Sequence, residues 1–192
     1  MAPIIGVLAL QGDFAEHAAM LRRVGAAPRE VRLPAELTGL QGLIIPGGES
    51  TTIGRLMHDY ELTEPIRALG RSGLPIWGTC AGLILLAHGA EHDQRLLGLL
   101  DVMVERNAFG RQLESFEADL PIQGLDGGDL HAVFIRAPIV RTVGPGVQIL
   151  GRLPDDSIVA VQQDALMGTA FHPELTDDTR LHRRFVEMAG TP

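Results

Sequence analysis

The sequence predicts an α/β fold of three layers, with a mostly parallel central sheet and helices on both faces. Three observations carry this. Short apolar runs alternate with helix-period segments through the first half of the chain. The runs are apolar at nearly every position, as in strands buried on both faces. Each ends in glycine-rich or polar turn residues that lead towards a helix. With 192 residues the chain is long enough for one well-buried core and short for two, so residues 1–192 are expected to form a single domain.

The elements follow in order. "IIGVLAL" (4–10) reads as the first buried strand. "QGD" turns, and Asp13 stands where an N-cap is needed. Phe14, Ala18, Leu21 and Val24 follow at helical spacing, and Gly25 stops that helix. "REVRLP" is a second strand candidate, and "GLIIPGG" (42–48) a third, running into a glycine turn. Ser50 or Thr51 is expected to cap the next helix. "LPIW" (74–77) is a fourth strand, with "AGLILLAHG" as the helix after it. The second half is richer in strands: "LLDVMVE", "SFEADL", "AVFIRA", "VQILGRL", "SIVAVQQ" and "MGTAFH". "DDTRLHRRFVEMA" closes the chain as a helix.

Composition narrows the function classes. Hydrophobic residues make up 45% and charged residues 21%, an ordinary globular balance. The formal net charge of −8 repels phosphate backbones, and 4% aromatics are too few for a base-stacking platform, so nucleic acid is not an expected partner. The one cysteine forms no internal disulfide, which fits a reducing, cytoplasmic compartment. No basic region precedes the first apolar run, so it does not read as a signal peptide. Residues 72–90 carry no Asp, Glu, Lys or Arg, close to the length of a membrane span. They contain Pro75, Gly78 and Gly82, however, and divide into a strand and a helix; a buried core segment is expected, and no membrane contact. No phosphate-binding glycine loop, C-x-x-C pair or H-E-x-x-H spacing occurs, so nucleotide and metal sites have no sequence support.

The candidate chemistry lies at strand ends. Cys80 sits in Gly78-Thr79-Cys80-Ala81-Gly82, between a strand and a helix, at the carboxyl edge of the sheet where open α/β folds bind ligands. G-x-C-x-G there has the form of a nucleophile elbow. A strained turn needs small neighbours on either side, projects sulfur above the sheet, and leaves the Ala81 N–H free to donate to an oxyanion. A buried cysteine in a glycine-rich turn is the competing account. "FHPEL" supplies a base and its orienter: Pro173 biases His172 towards extended backbone, which would place His172 and Glu174 on one face. "PGGES" (46–50) is a third rim element, whose glycines let backbone N–H groups approach a ligand. Arg106 in "VERNAFGRQ" and Arg136 in "FIRAP" are candidate carboxylate clamps.

These motifs, in this order, resemble class I glutamine amidotransferase domains. More narrowly, "ALQGDFAEH", "PGGEST", "GTCAGLILLA", "VERNAFGRQ", "SFEADL", "FIRAP" and "FHPELTDD" are similar to the glutaminase subunits of pyridoxal 5′-phosphate synthases, a match running from Gly6 to about Phe185. The resemblance implies a flavodoxin-like architecture and a Cys80–His172–Glu174 triad. It implies oxyanion donors at Gly48 and Ala81, and a glutamine pocket of Gly48, Glu49, Ser50, Arg106, Ile135 and Arg136. Glutamine is then hydrolysed through a Cys80 thioester, with no metal or organic cofactor, and ammonia passes to a separate synthase subunit. All 16 basic residues are arginine, so this chain offers no lysine for the Schiff-base chemistry that assembles the coenzyme; the partner must bear it. The alternatives are an amidotransferase serving a different synthase, a cysteine peptidase or chaperone-like protein of similar fold, and a regulatory module without activity. The peptidase group tends to carry His directly after the cysteine, where this chain has Ala81.

Overall fold

The computed structural model describes residues 2–90, 94–106 and 115–190. A ten-stranded sheet runs β2-β1-β3-β4-β12-β11-β9-β6-β5, with β10 paired to β11. Its first block is parallel: β1 (Ile4–Leu8), β2 (Ala27–Val31), β3 (Gly42–Ile45), β4 (Ile76–Thr79) and β12 (Leu166–Thr169). From β12 onward the neighbours β11 (Ile158–Gln163), β9 (Ile139–Val143) and β6 (Leu100–Glu105) pair antiparallel, and β10 (Gln148–Arg152) joins β11 the same way. β5 (Ala87–Ala90) lies parallel to β6 at the edge. A separate hairpin pairs β7 (Ser115–Leu120) with β8 (Leu130–Ile135).

The period-2 alternation of β4 separates the helices into two layers. Trp77 faces α1 (Phe14–Arg23) and α5 (Arg180–Gly190), with ring centroids 5.8 Å from His17, 5.0 Å from His182 and 5.7 Å from Phe185. Gly78 faces the other way, under α4 (Ala81–Leu86), which packs on β3, β4 and β12. α2 (Ser50–Asp59) and α3 (Thr63–Arg71) complete that layer. No helix among the described residues is long and apolar enough to cross a membrane; residues 72–90 divide into β4, α4 and β5.

Several expectations change in detail. The helix after Cys80 ends at Leu86, because Ala87–Ala90 is drawn into parallel pairing with β6. Neither Ser50 nor Thr51 caps α2; the Glu49 carboxylate does, accepting from the Thr51 and Thr52 N–H groups. Asp13 precedes α1 but makes no side-chain cap bond. The strand read from "REVRLP" begins two residues earlier, at Ala27. Gly25, at φ 83°, closes α1 as expected, its N–H donating to the Arg22 carbonyl. α3 and β9 were not predicted. Leu62, Ile66 and Leu69 do carry a helical period, but Pro65 masks it; proline is tolerated there because it falls in the first turn.

Candidate active site

The short stretch around Cys80 answers to backbone geometry before chemistry. Cys80 has φ 47° and ψ −103°, a conformation L side chains rarely adopt. Its N–H donates to the Thr169 carbonyl at 2.8 Å, which fastens the turn to β12. The flanking glycines are required by contact. A Cβ on Gly78 would lie 2.4 Å from the Gly82 carbonyl, and one on Gly82 would lie 1.9 Å from the Ile45 carbonyl. Both obstacles are backbone, so neither can rotate away. Gly82→Ala should therefore cost about 3 kcal/mol by overpacking and lower the melting temperature by roughly 6–12 °C. Thermal denaturation of the variant checks this; an unchanged transition would mean that α4 can lift off β3 freely.

His172 and Glu174 meet, though not on an extended strand. Residues 173–175 form a single turn of 3₁₀ helix beginning at Pro173, and the His172 Nδ1–H donates to Glu174 Oε1 at 2.7 Å across it. The His172 backbone N–H donates to the Val133 carbonyl at 2.8 Å, which joins this turn to β8. β8 in turn presents the Ile135 carbonyl to Cys80 Sγ at 3.9 Å. Asp13 Oδ2 also approaches His172 Nδ1, at 3.4 Å. Burial opposes charge on His172. Hydrogen bonds to Asp13, Cys80 and Glu174 together overcome it and push the pKa up to about 12. Glu174 is almost fully buried, and burial pushes its carboxyl up despite the His172 hydrogen bond.

These groups open on a cavity of about 320 Å³. Cys80, Ala81, Gly48, Glu49, Ser50, Arg106, Ile135, Arg136 and His172 all line it; Glu174 stands behind His172. Gln11, Asp13 and Ile84 line it too, and sequence reasoning missed them as site residues. Gln11 Oε1 accepts the Glu49 N–H at 2.7 Å, bracing the glycine turn from the end of β1. That turn is tightly placed: a Cβ on Gly47 would lie 2.4 Å from His172 Cε1.

The two arginines differ. Arg106 already pairs with Glu49 Oε1 at 3.2 Å and donates to Thr51 Oγ1 at 3.2 Å. Burial alone would raise Glu49, but the Thr52 and Thr51 hydrogen bonds hold it at about 2, so Glu49 is ionised throughout the neutral range. The rest of the "RNAFGRQ" motif, residues 107–112, lies outside the described residues. Arg136 is exposed, has φ 44°, and has no ion-pair partner among the described residues. Asp13, His172 and Glu174 bring metal-ligand atoms within 4.8 Å of one another. Both carboxylates converge on one imidazole N–H, whose proton occupies the position a cation would need.

The model of the SNO glutamine amidotransferase family matches residues 7–191. The chain belongs to that family. A relative from Dehalococcoides mccartyi, named pyridoxal 5′-phosphate synthase subunit PdxT, is 57% identical over 97% of both chains. A Roseiflexus castenholzii protein of the same name is 56% identical over 96% of this chain and 99% of its own. A crystal structure described as a glutamine amidotransferase superposes with a TM-score of 0.93 at 52% identity, covering 97% of this chain and 99% of that one. The amidotransferase fold expected from the resemblance is thus the fold of the family, but its sheet is mixed where a mostly parallel one was expected, because β6, β9, β10, β11 and β12 pair antiparallel.

Proposed function

We propose that this chain, acting as a single amidotransferase domain, is the glutaminase subunit of a pyridoxal 5′-phosphate synthase. It hydrolyses L-glutamine to L-glutamate and ammonia. The observation that carries the reading is a cysteine held at positive φ beside a histidine that is itself oriented by a buried glutamate, all at one cavity. The relatives' shared name supplies the pathway.

The chemistry follows from where the proton sits. His172, with a pKa pushed up to about 12, holds a proton at neutral pH. The Cys80 sulfur, whose proton is the one His172 holds, attacks the side-chain amide carbon of glutamine. The carbonyl oxygen becomes an oxyanion, for which the Ala81 and Gly48 N–H groups are the proposed donors. Collapse of the tetrahedral adduct breaks the C–N bond, and the His172 proton goes to the departing nitrogen, which leaves as ammonia. Neutral His172 then takes a proton from water as the oxygen attacks the thioester. Glutamate leaves and Cys80 is restored. Glu174 keeps Nε2 of His172 turned to the cavity by holding Nδ1.

Arg136 is the proposed grip on the substrate α-carboxylate, because Arg106 is committed to Glu49. Arg136→Ala should raise KM about tenfold with kcat little changed, the pattern of lost ground-state binding. Steady-state glutaminase kinetics test this; an unchanged KM removes Arg136 from the pocket.

The partner is a separate, lysine-bearing synthase subunit, and the segment Ala9–His17 is proposed as part of the docking face, through its exposed residues rather than the buried Ala9 and His17. Gln11 to Phe14 are partly exposed there, and Ala15 and Glu16 are exposed. A closed path between sites keeps ammonia from the water that would protonate it. Glutamate release with and without the synthase subunit tests the assignment. Borohydride trapping with pentose phosphate should label the partner alone. Pyridoxal phosphate formed by this chain alone from glutamine and sugar phosphates would overturn the two-subunit reading.

A further inference from the structure

Behind the triad lies a second set of polar groups to which the reaction steps above give no role. His17, on α1, is completely buried. Its Nε2 lies 3.1 Å from Thr79 Oγ1, the residue before the nucleophile, and 3.4 Å from Glu174 Oε2. Its Nδ1 lies 3.0 Å from Nε2 of His182, on α5, which is equally buried. Glu174 Oε2 is itself buried and makes no hydrogen bond among the described residues, with His17 Nε2 poised 3.4 Å away.

Tautomer choice follows from this geometry. If His17 carried its proton on Nδ1, its bare Nε2 would point a lone pair at a carboxylate. His182 would then bury an unpartnered Nδ1–H, since that nitrogen has no partner among the described residues. With the proton on Nε2, His17 donates towards Glu174 and Thr79 and accepts from His182 Nε2–H, leaving only an acceptor unpaired. Burial keeps both imidazoles uncharged: His17 is driven well below the ordinary range, with the charges of His182 and His172 adding to the effect, and His182 falls to about 3, with Arg23 contributing.

We propose that His17 is a positioning residue for glutamine hydrolysis: its Nε2–H holds the second oxygen of Glu174, and His182 fixes its tautomer. The 3.4 Å separation is long for a hydrogen bond and tightens when substrate orders the triad. A neutral donor behind Glu174 leaves Oε1 to His172 and prevents the carboxylate from rotating away. This inference rests on the Cys80–His172–Glu174 reading.

The test is a double-mutant cycle on the full chain, assayed with the synthase subunit present. His17→Leu fills the space without a donor, and His17→Gln restores an N–H near the same place. His17→Leu should lower kcat about tenfold with KM unchanged, and His17→Gln should recover most of it. In the Glu174→Gln background, His17→Leu should add little. Equal losses in both backgrounds, or a parallel loss in His17→Gln, would mean simple packing and overturn the proposal. If His17→Leu does not fold, ¹⁵N spectra of the wild-type histidines decide: a proton on His17 Nδ1 with bare Nε2 refutes it. Cys80→Ala in the same assay separates the two readings. Activity surviving in Cys80→Ala removes the triad itself, whereas full activity in His17→Leu beside a dead Cys80→Ala removes only His17.

Discussion

Cys80→Ala should release no glutamate above the uncatalysed background, while the variant folds, binds glutamine and still docks on its synthase partner. The loss is total because the proposed thioester forms on that sulfur, and Cys80 is the chain's only thiol. Folding survives because Ala differs from Cys by one small atom in a turn already fastened by its own backbone, through the Cys80 N–H to the Thr169 carbonyl. The strain at φ 47° belongs to the backbone and is present in both proteins. Isothermal titration with glutamine, run beside the activity assay, separates chemistry from binding. Glutamate release at the wild-type rate would show that the nucleophile lies elsewhere.

The second large effect separates the base from its orienter. His172→Asn should lose about 10⁴-fold or more in kcat, since no group remains to move a proton between sulfur, leaving nitrogen and water. Glu174→Gln should lose less, about 10²-fold, because Gln can still occupy the Oε1 position but carries no charge to stabilise the imidazolium. The pH profile gives a second signature. Glu174 helps to raise the His172 pKa, so its neutralisation should lower it. The proton on His172 is kept below its folded pKa and lost above it. Activity that depends on that proton should therefore fail at lower pH in Glu174→Gln than in the wild type. Two variants with full activity, or identical alkaline limbs, would break the triad reading.

How much of this could be read without coordinates depended on how local each feature is. The elbow was legible because all its constraints lie within five residues: strand end, small flanks, helix start. The His172–Glu174 pair was legible because it is two residues apart, although a 3₁₀ turn joins it where extended backbone was expected. The parallel half of the sheet was legible in its unbroken apolar runs. β5 was not, because "AHGA" has no strand propensity of its own and is made a strand by pairing with β6.

By itself, then, the sequence determined the fold class, and it offered Cys80 as the candidate nucleophile, since each is written as a short-range pattern; the candidate glutamine pocket came from the resemblance. Tertiary structure alone decided what those residues lean on. Glu49 pairs with Arg106 across 57 positions, and His17 meets His182 across 165. Asp13, expected as a helix cap, turns instead to His172. Such contacts depend on which strands become neighbours. β12 inserts beside β4, and this carries His172 to Cys80. Strand order follows from the burial of whole faces against one another, which no local spacing records.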